Sequence, residues 1–193
     1  MANHIMRAYA PPQSHMEPVS MSEKKGLVMI NTGHGKGKTT AALGAVLRAV
    51  GQGLSALILQ FIKRGDGYGE LEALSYLPGV EVRSLGLGLI GDDELGPHRE
   101  AALKAWSEAK EEVLSGRWDL IVLDELCIAM KYGFLSVEDV AELIKNKPDA
   151  LILIITGRYC PKELYDYADT VTEMKAIKHH ASTGRKSQAG IEY

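Results

Sequence analysis

The sequence predicts an α/β fold of three layers, a mostly parallel sheet with helices on both faces, and three observations predict it. Short apolar runs alternate with helical patterns from residue 26 to about residue 174. Most of the runs are almost continuously apolar, as strands covered on both faces must be. A glycine-rich turn joins the first run directly to the first helix, which puts a polar site at the carboxyl edge of the sheet, where open parallel sheets bind ligands.

With 193 residues, a formal net charge of −3 and a pI near 6.1, the chain suits one domain that buries roughly 70% of its unfolded surface. Residues 1–25, with Pro11, Pro12 and Pro18 and little periodicity, read as a flexible arm, and residues 26–193 as the domain. Scattered lysines and arginines under a net negative charge exclude a nucleic-acid binder that works through a general basic field. Cys127 and Cys160 form no C-x-x-C pair, so neither a disulfide framework nor a thiolate zinc site is indicated. His179 and His180 are adjacent rather than four apart, which argues against zinc. No apolar run is long enough to span a membrane and no signal pattern opens the chain, so a cytoplasmic location is expected.

Taken in order, Gly26 to Asn31 gives the first strand, and Lys38 to Val50 a helix apolar nearly all round and therefore expected to be buried. Leu54 to Ile62 is a central strand, Leu71 to Leu77 a short helix stopped by Pro78-Gly79, and Val80 to Leu85 an alternating strand. Gly86 to Asp93 is too rich in glycine for regular structure. A long helix follows from about Pro97, with Ala102, Ala105, Trp106, Ala109, Val113 and Leu114 on its apolar stripe, so Trp106 reads as core. Trp118 to Leu123 is a strand ending in Asp124-Glu125, and Ser136 caps a helix with Val137, Val140, Ala141 and Ile144 on one face. Ala150 to Ile155 is a buried strand. Pro161 suits the first turn of a helix after it, Thr170 to Met174 a last strand, and the remainder a polar tail.

The chemistry concentrates in Thr32-Gly33-His34-Gly35-Lys36-Gly37-Lys38-Thr39-Thr40. Polyphosphate oxygens need converging backbone N–H groups, and glycines without a Cβ allow that approach. The helix N-terminus adds free amides and partial positive charge. Lys38 adds a full charge, and the Thr39 hydroxyl suits a phosphate-bound magnesium ion. The pattern G-x-x-x-x-G-K-S/T is met at Gly37-Lys38-Thr39 but has Thr32 where its first glycine belongs. The acidic strand end Asp124-Glu125 can supply a magnesium carboxylate or a base for water, and the residues alone leave both open. Lys63-Arg64 and Arg158 also follow strands, and Arg48 is a lone charge in an apolar helix; Arg48 and Arg158 are candidates to neutralise phosphate.

These segments, together with Gln60-Phe61-Ile62-Lys63, Leu123-Asp124-Glu125-Leu126, Ile155-Thr156-Gly157-Arg158, Lys178-His179 and Gln188 to Tyr193, occur in an order that resembles the ATP:corrinoid adenosyltransferases. The resemblance implies a P-loop NTPase fold of the RecA-like type, usually a homodimer. It implies transfer of the 5′-deoxyadenosyl group of ATP to the Co(I) centre of a reduced corrinoid, with release of triphosphate and with a cobalt-reducing flavoprotein as a further partner. By resemblance the nucleotide lies reversed in the loop, residues 33–40 bind it, Lys38, Glu125 and Arg158 serve catalysis, and Thr39 and Glu125 hold magnesium. Arg48 matches a family arginine near the ligands. The family's loop after the third strand reads Gly-x-Gly-Phe-Thr-Trp, and its aromatics are thought to press on the corrin. Here the stretch is Gly86-Leu87-Gly88-Leu89-Ile90-Gly91, which leaves Leu89 and Ile90 as an aliphatic wedge. A generic P-loop ATPase or kinase and a non-catalytic corrinoid or nucleotide carrier are the alternatives.

Overall fold

The computed structural model describes residues 25–65, 67–91 and 95–191. The expectations for the arm (all but Lys25), Asp92-Asp93 and Glu192-Tyr193 lie outside the described residues. Six strands form one sheet: β1 (Val28–Thr32), β2 (Ala56–Gln60), β3 (Val80–Ser84), β4 (Leu120–Asp124), β5 (Ile152–Thr156) and β6 (Thr170–Glu173). Their order is β3-β2-β4-β5-β1-β6 and every adjacent pair is parallel. The helices are α1 (Lys38–Gly51), α2 (Gly69–Ser75), α3 (Leu95–Leu114), α4 (Leu126–Lys131) and α5 (Val137–Asn146).

Alternation along the strands builds two cores. Ile30, Leu57, Leu59, Ile121, Leu123, Leu153 and Ile155 face a large cluster with residues of α3, α4 and α5. Their neighbours Ala56, Ile58, Leu120, Val122 and Ile154 face a smaller one with Ala42, Val46 and Ala49 of α1 and Leu74 of α2. Helices on both faces explain why β2 and β4 are buried at every position.

The expected burial of α1 is corrected. Only Lys38, Ala42, Val46 and Ala49 are buried, while Leu47 is 59% exposed and Arg48 is exposed beside it. An outer-layer helix has one covered side, and here its outward positions are mostly small residues rather than charged ones, so composition overstated the burial. Leu114, expected in the α3 stripe, is 51% exposed, whereas Trp106 is core as expected. The six-residue α4 was not foreseen, because its sequence LCIAMK has no polar face to set a period. Pro161 stands one position before a 3-10 helix at Lys162–Tyr167 rather than inside an α-helix. Ser136 does cap α5, its hydroxyl accepting the Asp139 N–H at 3.1 Å.

One buried carboxylate fixes the edge of the sheet. Glu112 of α3 accepts hydrogen bonds from Arg83 of β3 at 2.7 Å, Arg117 at 2.6 Å and the Trp118 indole at 2.8 Å. Among the described residues no helix is long and apolar enough to cross a membrane.

Candidate active site

The polar strand ends predicted from the sequence meet at one edge. Val28 to Thr32 is extended because both its faces are covered, and the chain leaves it through Gly33 and Gly37, at φ of 96° and 112°, backbone that favours glycine. The turn is braced from behind. Gly35 N–H donates to the Met174 carbonyl at 2.6 Å, and a Cβ on Gly33 or Gly35 would meet that oxygen at 2.5 or 2.7 Å. The first intrahelical bond runs from Ala41 N–H to the Gly37 carbonyl at 2.8 Å. The amides of Lys38, Thr39 and Thr40 therefore precede the helical ladder, as anion-binding amides do.

Lys38 is buried, and its Nζ donates to the Gly35 carbonyl at 2.8 Å. Burial lowers its pKa, an effect opposed by the nearby Glu125 carboxylate. The Thr39 hydroxyl donates to Asp124 Oδ1 at 2.8 Å. Thr156, at the end of the strand lying between β1 and β4, donates to the same oxygen at 2.8 Å and accepts the Glu125 N–H at 2.9 Å. Glu125 adopts a left-handed backbone at φ 61°, which turns its side chain out of the strand line at the start of α4. Its burial first, and the charge of Asp124 second, push its pKa up.

Asp124 is fully buried and its Oδ2 has no hydrogen-bond partner; the nearest cation is Lys63 Nζ at 3.9 Å. An unsatisfied buried carboxylate oxygen beside a hydroxyl fits a hard divalent cation such as magnesium. Among the described residues no group of three or more His, Cys, Asp or Glu side chains could hold a metal by itself. Magnesium bound here would thus depend on phosphate and water oxygens as well.

A cleft of about 730 Å³ opens over these groups, bounded by residues 35–40, Leu43, Lys63, Gly69, Glu70, Ala73, Glu125, Arg158 and part of the tail from His179 to Ile191. Of the predicted site residues, it gathers Gly35, Lys36, Gly37, Lys38, Thr39, Thr40, Glu125 and Arg158. It does not gather five others. Gly33 backs onto Met174, and His34 is exposed and packs edge-on against Tyr159, with ring centroids 4.9 Å apart. Arg48 sits in the last turn of α1, ten residues or about 15 Å along the axis from Lys38. Leu89 and Ile90 lie on the loop after β3. Leu89 is 94% exposed while Ile90 packs against the large core, so the two side chains part company. Sequence reasoning gave no site role to Thr156 or the tail, although both belong to segments that carry the family resemblance. Thr156 had a signal, since Asn31, Gln60, Asp124 and Thr156 are all polar residues that end or nearly end an apolar strand.

A glycine-rich loop between strand and helix, with a buried lysine at its end and a hydroxyl hydrogen-bonded to an acidic strand end, defines a P-loop α/β nucleotide-binding protein. Residues 24–193 match the family described as ATP:corrinoid adenosyltransferase BtuR/CobO/CobP. The chain belongs to this family, an enzyme family with ATP and a corrinoid as substrates, and its reaction is the transfer of an adenosyl group between them. It is 37% identical over 172 residues to a corrinoid adenosyltransferase of Escherichia coli K12, covering 89% of this chain and 87% of that one. A corrinoid adenosyltransferase of Sinorhizobium sp is 36% identical over 199 residues, covering 100% of this chain and 92% of the relative. The corrinoid adenosyltransferase CobA of Salmonella typhimurium LT2 is 38% identical over 172 residues, covering 89% and 87%.

Proposed function

We propose that the cleft holds ATP by its triphosphate and presents the ribose C5′ to the Co(I) centre of a reduced corrinoid. The observation that carries this reading is Lys38 and Thr39 on the cleft, with the Thr39 hydroxyl donating to Asp124, whose other carboxylate oxygen is buried and unpartnered. In the reaction the cobalt electron pair forms the Co–C bond while the C5′–O bond breaks, and its electrons leave on the triphosphate. Charge therefore grows on the leaving group. Groups already aimed at it stabilise the transition state more than the ground state.

Each residue has a role derived from its position. The amides of Lys38, Thr39 and Thr40 and the ammonium of Lys38 bind phosphate oxygens, and Arg158 adds a second full charge from the end of β5. Thr39 and Asp124 are the pair that suits magnesium, with Glu125 as the adjoining carboxylate. Magnesium held there would supply positive charge to stabilise the triphosphate. Thr156 keeps the Asp124 carboxylate oriented. We further read the protein as a cytoplasmic homodimer that takes its reduced corrinoid from a flavoprotein-dependent step. Leu89, exposed at the tip of its loop, is the residue that meets the corrin. Ile90 anchors the loop instead.

The test is incubation with ATP and chemically reduced cobalamin. The adenosylcobalamin spectrum with inorganic triphosphate as co-product supports the reading, whereas ADP or phosphate as the product rejects it in favour of an ATPase. Binding of both ligands without turnover would favour a carrier.

A further inference from the structure

The segment after β6 differs in charge from the rest of the chain. Residues 174–191 contain Lys175, Lys178, Arg185 and Lys186, two histidines and no acidic residue, in a protein whose formal net charge is −3. This segment is not a free tail. Lys36 of the phosphate loop donates from Nζ to the Ile191 carbonyl at 2.7 Å, which ties its far end across the loop. Its near end is tied where Gly35 N–H meets the Met174 carbonyl. Between these ties lies a 3-10 helix at His180–Thr183, closed by Gly184 at φ 74° with hydrogen bonds from Gly184 and Arg185 N–H back to the Ala181 and His180 carbonyls. That left-handed turn reverses the chain just before Arg185. Arg185 lines the cleft together with Lys36, Lys38 and Arg158; Lys186, the next residue, does not.

We propose that residues 178–191 form a second wall of the triphosphate site and that Arg185 binds the phosphate chain directly. The proposal rests on reading the cleft as the ATP site. Three arguments support it. A guanidinium offers a planar fork that pairs with two phosphate oxygens at once. Of the two acidic residues on the cleft, Glu70 is already paired with Lys63 and so does not call for Arg185 as a partner. The segment that carries the wall is fastened to the phosphate loop at Met174, just before it, and at Ile191, its far end, so a ligand seated on the loop lies beneath the wall. Arg185 thus shares the leaving-group charge with Lys38, and the wall covers the side of the triphosphate that α1 leaves open.

The experiment uses the full chain and inorganic triphosphate as the probe. Arg185→Ala should weaken triphosphate binding, measured by calorimetry, about 10- to 100-fold, as loss of a charge-assisted contact does. Arg185→Lys should fall between Arg185→Ala and the wild type, since it keeps the charge and loses the fork. Lys186→Ala should stay within about twofold, because screened surface charge contributes little. In turnover, Arg185→Ala should raise KM for ATP. Trypsin cleavage after Lys178, Arg185 and Lys186 in the wild type should slow several-fold when triphosphate is saturating. Unchanged binding in Arg185→Ala, an equal loss in Lys186→Ala, unaltered tryptic cleavage, or a wild type that does not bind triphosphate would each overturn the proposal. A wild type that binds triphosphate with these variant effects but forms no adenosylcobalamin would uphold the wall and reject the transfer reaction.

Discussion

A Cβ added to Gly33 or Gly35 would meet the Met174 carbonyl oxygen at 2.5 or 2.7 Å, whereas one added to Gly91 would meet nothing within 4 Å. The phosphate loop and the loop after β3 are both glycine-rich, yet their glycines do different things. In the first they permit close packing of backbone against backbone and aim amides into a cleft. In the second, Gly86 at the base packs just as closely, an added Cβ running into the Ile62 carbonyl, but Gly88 and Gly91 towards the tip leave room. Phosphate is a small ligand with fixed geometry and rewards a rigid cradle. A corrin is a broad ring, and an exposed, uncrowded loop tip can follow its shape. Glycine content alone does not separate the two kinds of site; what surrounds each glycine does.

The largest expected effect lies on the rigid side. Lys38→Ala removes a charge-assisted phosphate contact worth about 1.5 to 3 kcal/mol, so ATP affinity should fall about tenfold to more than a hundredfold in equilibrium binding, with most adenosyl transfer lost. Unaltered affinity would take the loop out of the mechanism. Gly35→Ala comes next: the backbone clash should destabilise the fold by about 1 to 3 kcal/mol in urea unfolding and weaken ATP as well. On the other loop, Ile90→Ala should cost about 1 to 2 kcal/mol, below the range for a fully buried isoleucine because Ile90 is only partly covered.

A smaller effect tests the electrostatics. The folded-state pKa of Glu125 is raised, so an ionised Glu125 costs the fold and a protonated one does not. Glu125→Gln should melt above the wild type at neutral pH. The gap should close as pH falls through the raised folded pKa towards the ordinary carboxylate range, and a gap that widened on acidification would contradict the assignment. Smallest of all, Leu89→Ala and Gly91→Ala should change stability by no more than about 0.5 kcal/mol. Leu89→Phe, equally neutral for stability, should alter turnover with cobalamin while leaving KM for ATP unchanged; no change in turnover would remove Leu89 from the corrin contact.

Most of the fold could be read in the sequence because buried parallel strands and amphipathic helices write their environment into consecutive residues. β1, β2, β4 and β5 stand where apolar runs do, the edge strands β3 and β6 show only alternating apolar residues, and Ser136 begins α5 through a local hydrogen bond that needs no tertiary knowledge. Side-chain direction at the site was less legible. Arg48 is a lone charge among apolar neighbours, and α1, covered on one side only, carries it on the exposed side, outside the cleft lining. His34 lies within the motif and turns its ring to Tyr159. Leu89 and Ile90 are adjacent and face opposite ways. Thr156 is a common residue whose importance depends on β5 lying between β1 and β4, an order fixed by the whole sheet rather than by any local pattern. By composition the tail reads as polar, although parts of it carry the family resemblance, because its two ties to the phosphate loop involve backbone groups that composition does not record.

The loop after β3 is docked on the segment leaving β2: N–H groups of Leu85, Gly86 and Gly88 donate to the carbonyls of Gln60, Lys63 and Ile62 at 2.9, 3.1 and 2.8 Å. Lys63 stands on the cleft, and Leu89 follows directly after Gly88. On the proposed reading of the two sites, one strut carries a lysine towards the nucleotide and a leucine towards the macrocycle. Ligands that load a common strut are thermodynamically linked, and such linkage is reciprocal. The factor by which nucleotide alters the affinity for corrinoid is the factor by which corrinoid alters the affinity for nucleotide.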